Sequence, residues 1–267
     1  MDALFVHCPK FNNYYRPIGE YIFVNYIPMG VVALADLLDR EGYATEVVHL
    51  GVEWIEDKGF SLIDYIARKR PKIAALSLFW HPQSYEVLEW ARRIKEAFPE
   101  VFILLGGLTA SFYHREIMER FPWVDAVIRG EGEVPLLQLT EAVITGGDLA
   151  AVPNLTRREG ERIEENPLDY VASQEIVDGL CFTNFALLKN HRTYIDWVLM
   201  PFFVKGFSKE RNRLFFSLKT PMFDLMVGRG CPVNCTWCGG GRDAQRSIVG
   251  RRKVIFRDME KVMESIR

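Results

Sequence analysis

Near the end of the chain, residues 228–241 read Gly-Arg-Gly-Cys-Pro-Val-Asn-Cys-Thr-Trp-Cys-Gly-Gly-Gly, which sets Cys231, Cys235 and Cys238 at C-x3-C-x2-C spacing on a glycine-rich loop. Thiolates are soft metal ligands, and three on so short a loop can converge on one inorganic centre. If that centre is a cubane 4Fe-4S cluster, three protein ligands leave one iron open to a small molecule, whereas an electron-transfer cluster usually takes four. Zinc is the alternative, since Cys235 and Cys238 form a C-x2-C pair, but structural zinc takes four ligands and usually a second such pair. The remaining cysteines, Cys8 and Cys181, are isolated, and no His pair lies nearby. With glycines following the third cysteine directly, an iron-sulfur site is the preferred reading.

The elements that must position this loop are bounded by composition. A chain of 267 residues that is 49% hydrophobic is long enough for a substantial core and for one or two domains. Net charge is -2 and the pI near 6.3, which gives no general affinity for nucleic acid or an acidic membrane surface. The N-terminus lacks a basic region followed by a long apolar one, so no secretory signal is read. Apolar runs such as 73–80 are too short for stable membrane insertion. Five cysteines, three of them clustered, argue for a reducing compartment, the cytoplasm, rather than a disulfide scaffold.

The first part of the chain alternates strand and helix. Strands are expected over 3–6, 45–50, 72–79, 101–105 and 124–128, and helices over 28–38, 60–70, 83–98, 114–121 and 133–144, punctuated by Gly42, Pro71, Pro99 and Gly106-Gly107. Parallel neighbours need crossover connections, so the pattern predicts an α/β fold with a five-stranded doubly wound parallel sheet. Its ligands bind beyond the C-terminal strand ends, where strand order reverses. Residues 146–220 form an irregular connecting region. Within it 157–166 read as a charged hairpin or loop around Gly160, and the stretch through Trp197, Phe202, Phe203 and Phe207 is too aromatic for a flexible linker. Residues 222–227 read as a strand leading into the cysteine loop, and 258–267 as a helix. His81, His191 and Cys181 read as surface or packing residues. Glu131 and Glu133 could serve acid-base chemistry or place favourable charge at a helix N-terminus.

Cys231, Cys235 and Cys238 resemble the cluster motif of the radical S-adenosylmethionine (radical SAM) superfamily, including the aromatic before the third cysteine, Trp237. A second resemblance lies upstream. Residues 103–110 (Ile-Leu-Leu-Gly-Gly-Leu-Thr-Ala) and 124–133 (Val-Asp-Ala-Val-Ile-Arg-Gly-Glu-Gly-Glu) are similar to the cobalamin-binding, Rossmann-like domain that precedes many radical SAM domains, and Pro28-x-Gly30 and Ser77 agree with it. This implies a cobalamin-binding-like domain at 1–145, a connecting region at 146–220, and at 221–267 the start of a radical SAM partial (β/α)6 barrel. Against typical α/β barrel sizes, roughly 150 or more residues of that barrel are expected beyond Arg267. One departure stands out: where many cobalamin domains carry D-x-H-x-x-G, whose His ligates cobalt, this chain has His7-Cys8-Pro9-Lys10-Phe11-Asn12.

The resemblance implies cobalamin held by Ser77, Gly106, Gly107, Thr109, Gly130, Glu131 and Gly132, and SAM on the open iron, with Gly239 and Gly240 offering backbone groups to its methionyl amine. It implies a methyltransferase acting on an unactivated carbon of a small-molecule or lipid substrate through a 5'-deoxyadenosyl radical, fed by an external electron donor. A radical SAM cyclase or rearrangement enzyme and a non-catalytic cobalamin module are the alternatives. A side chain at Gly107 is expected to collide with the bound nucleotide tail while leaving the sheet intact. Protein made anaerobically with iron and sulfide should hold the two in a cubane ratio, and Cys235→Ala should abolish this. Zinc as the sole bound metal would refute the iron-sulfur reading.

Overall fold

A strand covered by helices on both faces must be apolar throughout, and every residue of β1 (Ala3–His7) and β3 (Ile73–Ser77) is buried. In a computed structural model that describes residues 1–10, 25–199 and 223–266, β1 lies between β2 (Thr45–His49) and β3. The sheet continues through β4 (Phe102–Gly106) and β5 (Ala126–Ile128), all in parallel register. The expected five strands are therefore present, and strand order reverses at β1, between β2 and β3. Most of the loop after β1 and the passage containing Phe202, Phe203 and Phe207 lie outside the described residues.

Alternation along the strands divides the core into two layers. Ala3 and Phe5 pack with Val32 and Leu38 of α1 (Met29–Arg40). Leu4 and Val6 face the opposite way, toward residues on the helices that cross over that side. After β2 come α2 (Leu50–Glu56) and α3 (Leu62–Lys69), then α4 (Ser84–Ala97) after β3. After β4 come α5 (Leu108–Phe112) and α6 (His114–Arg120), and α7 (Glu133–Thr145) follows β5. Leu62 and Ile66 of α3 and Val87 and Ile94 of α4 complete the second layer, while Leu136 and Leu139 of α7 belong to the first.

Helices α2 and α5 lie where the sequence reads as loop, and short helices at Gln174–Asp178 and His191–Trp197 lie in the region that reads as irregular. The start of α2 is capped by His49, whose Nδ1 accepts from the Val52 amide at 3.2 Å, so the usual Ser, Thr, Asp or Asn signal is missing. The sheet also has seven strands rather than five, because β6 (Leu155–Glu159) and β7 (Arg162–Glu165) add an antiparallel hairpin beside β5. Buried amides dock it: Asn154 donates to the Tyr170 carbonyl at 2.9 Å and Asn166 to Val152 at 2.7 Å, while buried Arg129 donates to the Asn166 carbonyl.

The strand expected over 222–227 is not found at its described positions. Pairing begins instead at β8 (Gly228–Arg229), antiparallel to β9 (Ile255–Phe256). At Gly228 a Cβ would overlap the Ile255 carbonyl oxygen, so glycine is what permits this pairing. The final helix spans Met259–Glu264, shorter than expected, with the Asp258 carboxylate accepting from the Glu260 amide at 2.8 Å. No helix among the described residues is long and apolar enough to cross a membrane.

His49 gives the fold a pH dependence. Its Nε2–H donates to the Asn25 carbonyl at 2.8 Å, and Nδ1 is occupied as an acceptor, so the ring is held neutral. Burial pushes its pKa down to about 4 against the opposing backbone hydrogen bonds. A free histidine titrates near pH 6.5, so the unfolded chain binds the proton first, and stability should fall as pH drops through the window from about 6.5 to 4. The full loss is on the order of 3 kcal/mol. Thermal unfolding at pH 7 and pH 5 should show this slope in the wild type and a flatter one in His49→Asn, which keeps a capping acceptor.

Candidate functional site

At the C-terminal strand ends, a cavity of about 420 Å³ separates the sheet from the cysteine segment. Its walls are mainly apolar, with Phe5, Ala75 and Leu104 among them. On the sheet side lie Ser77, Gly106, Gly107, Gly130, Glu131 and Gly132, and across from them Gly228, Arg229, Gly230, Gly240, Gln245 and Val249. An apolar concavity with a few convergent polar groups is the usual form of a ligand site.

The glycines do different work. A Cβ built on Gly106 or on Gly30 meets no atom within 4 Å, so these two cavity-lining residues keep space open. Gly107 does not behave as expected. Its φ of 106° belongs to the glycine region, and a Cβ there would come within 2.7 Å of the Leu78 carbonyl oxygen, so substitution would strain the protein's own backbone before meeting any ligand. Ser111 then ties two rims together, donating to the Gly107 carbonyl at 2.8 Å and accepting from the Gly130 amide at 2.9 Å. Thr109 is not among the cavity-lining residues; its hydroxyl donates to the Phe79 carbonyl at 2.9 Å.

Glu131 and Glu133 are committed to arginines. Arg251 grips Glu131 with Nε at 2.5 Å from Oε1 and Nη2 at 2.8 Å from Oε2, and the Ala172 amide donates to Oε2 at 2.8 Å. Arg229 reaches both carboxylates, at 3.3 Å from Glu131 and 2.6 Å from Glu133. Burial pushes the Glu131 carboxyl up, but the pairing with Arg251 and Arg229 and the Ala172 amide outweighs it and leaves the group below its ordinary value. Glu133 does lie in the first turn of α7, where a negative charge is favourable. Neither carboxylate is left free as an acid or a base. The two arginines were not singled out by the sequence; Arg229 stands beside a glycine before the first cysteine of the loop, and Arg251 opens a run of basic residues.

The loop presents three free thiols, with Cys231 half-buried and Cys235 and Cys238 exposed. The Gly240 amide donates to Cys238 Sγ at 3.4 Å, and the Cys231 thiol points at the Val233 carbonyl, also at 3.4 Å. Asn234 and Asp243 staple the loop to the turn after it through a 2.5 Å side-chain hydrogen bond. Among the described residues no three His, Cys, Asp or Glu side chains gather at metal-binding range, so the three sulfurs do not converge in this form of the loop. Trp237 is 88% exposed. Of the two glycines expected to face a ligand, Gly240 lines the cavity and Gly239 does not.

Residues 15–140 match the family model of the B12 binding domain. The chain is 25% identical over 247 residues to hopanoid C-3 methylase of Methylococcus capsulatus, covering 92% of this chain and 41% of that protein. It is 30% identical over 241 residues to the anaerobic magnesium-protoporphyrin IX monomethyl ester cyclase of Rubrivivax gelatinosus, covering 89% and 38%. The chain thus spans about two fifths of the length of these curated relatives. Among solved structures, it superposes over its whole length on 45% of the radical S-adenosylmethionine methyltransferase TsrM from Kitasatospora setae, with TM-score 0.65 and 17% identity. The cobalamin-dependent S-adenosylmethionine radical enzyme OxsB gives TM-score 0.61 at 17% identity over 31% of that chain. Sheet, cavity and sequence match together define a B12-binding domain. Beyond the match over residues 15–140, the chain is similar in sequence to these enzymes and in fold to cobalamin-dependent radical SAM proteins.

The contrast between adjacent glycines is measurable. Gly107→Ala should lower stability by about 1–3 kcal/mol, the cost of a side chain in a glycine-only conformation. Gly106→Ala should change it by less than about 0.5 kcal/mol. Denaturant midpoints of the two variants provide the comparison, and equal midpoints would contradict the close approach of Gly107 to Leu78.

Proposed function

We propose that this chain supplies the cobalamin and cluster sites of a radical SAM methyltransferase acting on an unactivated carbon. The observation that carries the reading is that one cavity is bounded on one side by the glycine turns of the B12-binding domain and on the other by the cysteine segment. The residues fit the two groups. Gly106 and Gly30 leave open space that a side chain would fill, as a bulky cofactor lying against backbone requires. Cys231, Cys235 and Cys238 are soft, unpaired donors on one loop, suited to three irons of a cubane cluster. When bound, the cluster with SAM supplies one-electron chemistry and the cobalamin a transferable methyl group.

The protein's part is placement. Gly106 and the Gly130–Gly132 turn would hold the cobalamin against open backbone, while Gly240 lines the same space from the cysteine side. Phe5, Ala75 and Leu104 give it apolar walls. Thr109, with its hydroxyl bound to Phe79, serves the shape of the β4 loop. The sequence has no D-x-H-x-x-G motif whose His would serve as a cobalt ligand. Methyl transfer is favoured by the relative named hopanoid C-3 methylase, and the substrate proposed is a small molecule or a lipid. A cyclisation is the second reading, resting on 30% identity to the monomethyl ester cyclase. Either reaction needs an external electron donor and an environment that keeps thiols reduced, as the cytoplasm does.

The test is hydroxocobalamin binding by the purified chain, followed by absorbance. Gly106→Leu, which projects into the cavity, should weaken binding at least about tenfold, a loss of roughly 1.4 kcal/mol, with the unfolding midpoint nearly unchanged. The reduced, Co(II) form should show no histidine nitrogen in its electron paramagnetic resonance spectrum. Equal affinity in wild type and variant would remove cobalamin from this cavity, and a histidine-ligated spectrum would overturn the reading of the first loop.

A further inference from the structure

The cysteine segment has little of its own to hold it in place. Its ladder consists of the two-residue strands β8 and β9, and an isolated pair of this size is not stable in water. Met226 packs against Ala33, Leu180 and Phe182, and the Asp258 amide donates to Asp178, but the contacts that flank the loop itself go to the turn after β5. Gly130, with φ of 68°, lets that turn approach Val249 so closely that a Cβ would sit 3.0 Å from the Val249 Cα. Beside this contact, Arg229, two residues before Cys231, and Arg251, beyond the loop, both reach the Glu131 carboxylate. Arg251 also donates to the Ala172 carbonyl at 2.7 Å, so its guanidinium is oriented from two sides. Glu131 lines the cavity on the same turn as Gly130 and Gly132, whereas Arg251 does not line it.

From this geometry we infer that Glu131 and Arg251 are positioning residues that couple occupation of the cavity to the placement of the cysteine loop. A ligand seated against the turn fixes Glu131. Through the two-point Arg251 contact and through Arg229, the carboxylate then fixes β8 and β9 on either side of the loop. A planar guanidinium gripping a carboxylate at two points sets orientation as well as distance, which a lysine cannot reproduce. The coupling is reciprocal, so what the cofactor does to the loop, the loop's anchoring does to the cofactor. This inference rests on the cavity being the cobalamin site.

The experiment is hydrogen exchange of the peptides covering 226–231 and 251–257 in the full chain, with and without hydroxocobalamin. In the wild type the ligand should slow exchange of the β8 and β9 amides about tenfold, equivalent to a coupling of roughly 1.4 kcal/mol. In Arg251→Lys, which keeps the charge and loses the fork, cobalamin affinity should stay within about threefold while the slowing disappears. Glu131→Gln should abolish the slowing as well, and it decides the matter should the lysine variant fail to fold. Slowing that survives in both variants sinks the coupling while leaving the cobalamin site standing. A wild type that does not bind cobalamin sinks both. Loss of binding by more than tenfold in Arg251→Lys would place Arg251 in the ligand site itself and overturn the coupling role.

Discussion

A carboxylate removed from water must be compensated where it lies, and Glu131 is only 8% exposed. Its partners are drawn from stretches far apart in the sequence: the amide of Ala172, Arg229 on β8 and Arg251 after the cysteine loop. A single buried charge therefore requires the connecting region and both flanks of the cysteine loop to meet at one turn of the sheet. The charges share partners, since Glu131 takes both arginines and Arg229 also takes Glu133, so the segments that carry them are tied together. The cavity is a by-product of that convergence. The sheet ends form its floor, and the segment drawn in by the two arginines forms its roof.

The floor is made of backbone held rigid by backbone. Gly107 leans against Leu78, and Ser111 bridges the Gly107 carbonyl and the Gly130 amide. The rims after β4 and β5 cannot shift independently. A site built this way recognises a large ligand by shape, since few side chains point into it and those that do are mostly apolar. The hairpin β6–β7 extends the same principle outward. By pairing with β5 it covers what would have been an open sheet edge, and Arg129 behind it hydrogen-bonds the carbonyl of Asn166, the residue after β7.

How much of this can be read from the sequence depends on the range of the interaction involved. The five parallel strands are visible because burial on both faces forces continuous apolar runs, as at Ile73–Ser77. The glycine turns and the three cysteines are visible because few residue types can stand in those places. What is not visible is set by partners distant in the chain. The helix after β2 is begun by a histidine cap whose signal is weak, and the hairpin joins the sheet only because Arg129 and two asparagines bury its exit. The conformational need of Gly107 is met by Leu78, many residues earlier, so the sequence suggests a ligand where the structure places a carbonyl. The arginines read as part of a basic run. Only the fold shows that Arg251 is buried and pointed at Glu131 while Arg252 beside it is exposed.

The same division of labour holds at the cysteine loop. Cysteine side chains that bind metal must lose their protons, and anions brought within a few ångströms repel one another unless a cation stands among them. In this loop Cys235 and Cys238 are exposed and the Cys231 thiol points at the Val233 carbonyl. What the chain does provide is a fixed frame. Arg229 and Arg251 hold the loop's two flanks to the sheet, and Asn234 with Asp243 limits how far its centre can move. One contact already has the form a metal-bound sulfur favours, the Gly240 amide donating to Cys238 Sγ. Among the described residues, the cysteine loop is thus held from the sheet through Glu131 at both flanks, and its centre only by contacts of its own.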